Sequence, residues 1–85
     1  MQRWQWLRDA AQREAIRTDE GVEVTYRRSD DVARELQELV EAERECCAFA
    51  SWHVEEQGND VVLRVLARSE ADRAAVAELG TAFGA

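Results

Sequence analysis

The stretch "SWHVEEQGNDVVLRVLA", Ser51 to Ala67, decides the fold. Two strand-like runs, "SWHVEE" and "DVVLRVLA", flank the turn cluster "QGND" at residues 57–60, so the chain is expected to double back there as a β-hairpin. The second run is the more apolar of the two and reads as a central strand. Working upstream, "VEVTYR" alternates Val22, Val24 and Tyr26 with Glu23, Thr25 and Arg27, the period-two signature of a half-buried strand.

Between that strand and the hairpin lies a helix. "RSDD" offers Ser29 or Asp30 as its cap, with Asp31 suited to the positive end of the dipole. Val32, Leu36, Leu39 and Val40, then Glu43, Cys46, Cys47 and Ala50, follow at spacings of three and four, which predicts a helix from about Asp31 to Ala48. No glycine or proline marks its end. An earlier amphipathic helix is expected from about Arg3 to Arg17, on a stripe of Trp4, Leu7, Ala11 and Ala15, before "TDEG" breaks the pattern. After the hairpin, Ser69 caps a last helix with Asp72 three residues on, and Val76, Leu79 and Phe83 supply its buried stripe.

The order is α, β, α, β, β, α in a single domain spanning residues 1–85, with no internal repeat, linker or low-complexity tract. The crossover rule makes the first two strands parallel with room between them, and the returning strand of the hairpin fits that gap. The expected fold is therefore α+β: a ferredoxin-like βαββα half sandwich of sheet order 1-3-2, with an extra N-terminal helix. Helices cover one face of such a sheet. The other face, carrying residues such as Trp52 or Phe49, needs cover from the N-terminal helix or from a second copy of the chain, so a homodimer is expected.

Eighty-five residues can build one small core and a single surface site, not a deep active site between two lobes. With 46% hydrophobic and 34% charged residues, and no apolar run near the roughly 20 residues that cross a bilayer, the composition is not that of a membrane protein. "MQRWQWLRDAAQRE" lacks the apolar core of a secretion signal, so a cytoplasmic location with reduced thiols is expected. A net charge of −7 opposes a phosphate-backbone partner and excludes nucleic acid from the expected ligands. All 11 basic residues are arginine, a bias that reads as coding preference more than function. There is no nucleotide loop, no Ser/His/Asp set and no glycine-rich phosphate cradle. The aromatic residues Trp4, Trp6, Trp52, Tyr26, Phe49 and Phe83 read as core or interface anchors.

Chemistry concentrates in "AERECCAFASWH", Ala42 to His53, which holds both cysteines and the single histidine. A bond between adjacent cysteines would join no distant segments, so a structural disulfide is not their role. Two readings stand. In one, each cysteine continues a core-facing stripe, since Leu39 to Cys46 and Val40 to Cys47 are steps of seven, and free cysteine packs as a small hydrophobe. In the other, Glu43 lies three and four residues before the two thiols and points the same way, and His53 returns soon after the helix ends. Two thiols, a carboxylate and an imidazole suit a thiophilic or borderline metal.

The electrostatics favour a cation over a nucleophile. A cysteine at a helix C-terminus meets the negative end of the dipole, and Glu43 and Glu45 add negative charge with Arg44 as the nearby compensation, so the bare thiolate is disfavoured. A bound ion reverses this by supplying positive charge to the thiolates. Adjacent cysteines depart from the Cys-x₂₋₄-Cys spacing of structural zinc sites, so Cu(I) or Hg(II), which two sulfurs can satisfy, fits with fewer assumptions than Zn(II).

At "LVEAERECCAF", residues 39–49, the chain resembles a group of small bacterial proteins with a Glu-x-Cys-Cys-x-Phe segment. Members of that group often occur beside MerR-type heavy-metal regulators. Here the motif stands as Glu45, Cys46, Cys47 and Phe49, the glutamate directly before the pair, with Ala48 where the group often has proline. The likeness extends to the tryptophan-bearing first helix, "GVEVTYR", the hairpin and the closing Phe83-Gly84. It implies a link to metal or thiol stress. The expected function is that of a cytosolic accessory protein binding a soft metal or metalloid through Cys46 and Cys47, with Glu43 and His53 as accessory ligands. The role would be sequestration, delivery or sensing, not turnover, and the partners a second copy or a metal-responsive regulator. The alternatives are an interaction or dimerisation module with both cysteines in the core, and a thiol redox protein.

Overall fold

Four strands and three helices make up the chain in a computed structural model that describes residues 2–46 and 49–84. In order they are α1 (Gln2–Ala11), β1 (Gln12–Arg17), β2 (Gly21–Arg27), α2 (Asp30–Cys46), β3 (Ala50–Gln57), β4 (Asp60–Ala67), a 3-10 turn (Glu70–Asp72) and α3 (Arg73–Ala82). The strands form one sheet in the order β1-β2-β4-β3, every neighbouring pair antiparallel.

Alternation along the strands gives the sheet two unlike faces. In register, Val22 lies opposite Val65 and Val65 opposite Trp52; the next inward row is Val24, Leu63 and Val54. Leu7 of α1, Val32, Leu36, Leu39 and Val40 of α2, and Val76 of α3 pack on this face in a single cluster. On the other face Glu23, Arg64 and His53 stand side by side, and Arg64 bridges to Glu23 at 3.4 Å and to Glu55 on its other flank. That face is largely polar and needs no helix over it.

Local chemistry explains the boundaries. Ser29 is the cap of α2: its hydroxyl accepts from the Val32 amide at 3.2 Å and its carbonyl from the Ala33 amide at 2.9 Å, with Asp30 and Asp31 in the first turn. The β3–β4 turn is two residues long, Gly58 and Asn59, with Gly58 at φ 62°, the positive φ that a primed hairpin turn requires. Between β1 and β2, the Thr18 amide donates to the Gly21 carbonyl at 2.8 Å and the Gly21 amide to the Thr18 hydroxyl at 3.1 Å.

Several expectations are corrected. The three-stranded ferredoxin-like half sandwich of order 1-3-2 is replaced by a four-stranded antiparallel sheet of order β1-β2-β4-β3. The fourth strand comes from the segment assigned to the first helix, which ends at Ala11, not Arg17. Gln12–Arg17 pairs along β2 from Gln12 opposite Tyr26 to Arg17 opposite Val22, with a bulge between Gln12 and Glu14. Left as a helix, that segment would have exposed the backbone groups along the edge of β2; as a strand it pairs them. Trp52 does not lie on an uncovered face. It is buried beneath the helices, 3% exposed, with its ring 6.4 Å from that of Trp4. The argument for a homodimer from an apolar bare face therefore falls away. The last helix also starts differently: Ser69 bonds the Asp72 carboxylate at 2.9 Å, with no side-chain cap on the helix itself.

Candidate functional site

Two places carry chemistry, and the geometry keeps them distinct. The first is the end of α2. Cys46 occupies its last turn and is exposed, so this thiol is not part of the core that the seven-residue step from Leu39 suggested. Cys47 lies outside the described residues, as does Ala48. Arg44, read from the sequence as compensation for thiolate charge, is turned elsewhere. One arm of its guanidinium bonds Glu41 at 3.0 Å and the other donates to the Trp52 carbonyl of β3 at 2.7 Å, tying the helix end to the sheet. Phe49 is half-buried against the core and starts the return into β3.

Of the residues expected to share a metal, Glu43 and His53 are set apart. Glu43 is half-buried and faces Trp52 and Trp4 on the helix-covered side of the sheet. His53, the next residue along β3 from Trp52, points to the opposite face, is exposed, and stands across from Arg64. Among the described residues no group of three or more histidine, cysteine, aspartate or glutamate side chains is close enough to hold an ion. What the α2 terminus offers is an exposed thiol next in sequence to another, at the negative end of a helix dipole.

The second place is a cavity of about 210 Å³ at the junction of α1, α2, α3 and β3. Trp4, Trp52, Leu79, Ala82 and Phe83 supply apolar wall. Trp4 is the pivot: its ring meets Phe83 edge-on at 5.3 Å and Trp52 at a tilt at 6.4 Å, both within the range of favourable aromatic pairs. Polar groups enter from Gln5, Arg8, Gln12 and Glu43. Gln12, at the helix-to-strand junction, donates from Nε2 to the Phe83 carbonyl at 2.8 Å, which ties β1 to the end of α3. Its Oε1 is buried and has no donor among the described residues. Arg8 makes no ion pair or hydrogen bond with the described residues, in contrast to Arg3 five residues earlier, which bridges to Glu35 and to Glu38 of α2.

Sequence reasoning placed Trp4, Trp52 and Phe83 correctly as apolar anchors but gave no sign that they border a cavity, and it passed over Arg8 and Gln12. Nothing local marks these two: they lie on α1 and at its junction with β1, and become wall residues because α1 and α3 converge over β3. Glu43 was singled out for its spacing to the thiols; the structure places it in this wall. Compared with known proteins, the chain matches no protein-family model, no curated protein and no solved structure.

Proposed function

We propose that the chain is an accessory protein that binds a soft metal ion through the adjacent thiols Cys46 and Cys47, serving sequestration, delivery or sensing. The single observation that carries this reading is the exposure of Cys46 at the last turn of α2. The exposed Cys46 is flanked in sequence by Glu43 and Glu45 and set against the negative end of a helix, so its surroundings are negatively charged. The same field attracts a cation, and the cation in turn stabilises the thiolates. Two sulfurs satisfy Cu(I) or Hg(II), whereas Zn(II) takes four ligands, so the softer ions suit an adjacent thiol pair better. The resemblance at Glu45, Cys46, Cys47 and Phe49 points the same way, and it suggests a metal-responsive regulator as a partner.

The test is anaerobic native mass spectrometry of the reduced chain titrated with Cu(I), Hg(II) and Zn(II) in excess glutathione. One ion per chain should survive the competitor in the parent, and Cys46→Ser and Cys47→Ser should each abolish retention. If no ion survives glutathione, or if either single variant retains it, the reading fails.

A further inference from the structure

We propose that the cavity bordered by Trp4, Arg8, Glu43, Trp52 and Phe83 is a binding site for a small zwitterion with an aromatic body, of the class of free aromatic α-amino acids. The argument begins with size. A cavity of roughly 150 Å³ lined by apolar side chains takes a benzene ring, so one of about 210 Å³ holds a single ring with a short substituent. Its walls suit a ring: Trp4, Trp52 and Phe83 present aromatic faces and edges, and Leu79 and Ala82 complete the apolar surface.

Charge then selects the class. Among the described residues the cavity is lined by one cation, Arg8, and one anion, Glu43. Arg8 has no carboxylate or carbonyl partner among the described residues, and a guanidinium presents a planar fork matched to a carboxylate. A carboxylate has about four lone-pair sites, so Glu43 can accept an ammonium in addition to its existing contacts. A ligand that is only an anion would meet Glu43 with like charge, and one that is only a cation would meet Arg8. A zwitterion answers both. Lysine-rich or phosphate chemistry plays no part, because the chain has no lysine and Arg8 is the only arginine in the lining.

The inference does not rest on the thiols. Glu43 is the one residue that both readings touch, and a metal-free sample separates them. Reduced, metal-free, ¹⁵N-labelled protein is titrated with L-phenylalanine, 3-phenylpropanoate and phenethylamine, and the indole N–H signals of the three tryptophans are followed. Trp4 and Trp52 should shift saturably with L-phenylalanine, while Trp6, exposed away from the cavity beside Arg34 and Glu35, stays in place. The two singly charged analogues should bind roughly ten-fold or more weakly, the loss expected when one charged hydrogen-bonded pair is removed. Arg8→Gln should weaken L-phenylalanine by a similar factor, and Ala82→Phe should block it by bulk without altering either charge. Cys46→Ser/Cys47→Ser should bind as the parent does. The proposal is overturned if L-phenylalanine moves neither Trp4 nor Trp52 up to millimolar concentration, if either analogue binds as well, or if a folded Arg8→Gln chain binds unchanged.

Discussion

At position 21 a β-carbon would lie 1.8 Å from the Val65 carbonyl oxygen. The clash is with backbone in a central strand, so it cannot be relieved by a side-chain rotation; β2 would have to part from β4 at its first residue. Gly21→Ala should therefore cost about 3 kcal/mol, the upper end of overpacking penalties, and lower Tm by more than about 10 °C for a domain of this size. Gly58→Ala is the contrast. Its β-carbon meets nothing within 4 Å, and only the positive φ of 62° is strained, so the loss should be about 1 kcal/mol. Urea melts of the two variants beside the parent check both size and order; equal losses would contradict the register of β2 on β4.

At the scale of elements, α1 is pinned to α2 by Arg3, which bonds Glu35 and Glu38. The hydrogen bond from Arg3 holds the Glu35 carboxyl below its ordinary value of 4.5. A carboxylate whose pKa is lowered by folding contributes stability above its unfolded pKa and loses it as pH falls through the folded one. Arg3→Gln should accordingly lower Tm by a few degrees at most at pH 7, because the pair is exposed. The gap between parent and variant should be full above 4.5 and close only as pH falls through the lower value at which the parent's carboxyl protonates. A gap independent of pH would mean that Arg3 acts through packing alone.

Elements also show where the sequence could be read and where it could not. Val22, Val24 and Tyr26 alternate with polar residues in β2 and are buried in the structure, because alternation over a strand with one covered face has one solution. Gln12–Arg17 had two. Ala15 follows Ala11 by four residues, which continues a helical stripe, yet in β1 the same Ala15 faces inward opposite Val24. Ile16 separates the readings, since it is 43% exposed on the polar face of the sheet. Its placement was settled by the unpaired edge of β2, a partner in space that no local pattern records.

For the whole molecule, the candidate site was legible in part. The seven-residue steps to the cysteines and the spacing from Glu43 were visible, but helix periodicity alone could not tell whether the stripe still faced the core at its last turn; Cys46 has left it. Bringing His53 to Glu43 required both to lie on one side of β3, and alternation sends them apart once Trp52 is fixed inward. The cavity was not legible at all, because its walls come from the first helix, the last helix and a strand between them in sequence.

That convergence has a topological consequence. Trp4 of α1 and Phe83 after α3 meet edge-on at 5.3 Å, so the first and last helices of the described residues bring the backbone back on itself. A circular permutant that links the end of α3 to the start of α1 and opens between Asp19 and Glu20, in the exposed bend before β2, should keep every strand pairing while turning β1 into the last element of the chain. Its near-UV circular dichroism should match the parent's, with the Trp4, Trp52 and Phe83 contacts now spanned by a covalent linker. Loss of that signal in a helical, soluble permutant would show that the β1–β2 connection, and not the meeting of the ends, organises the cavity.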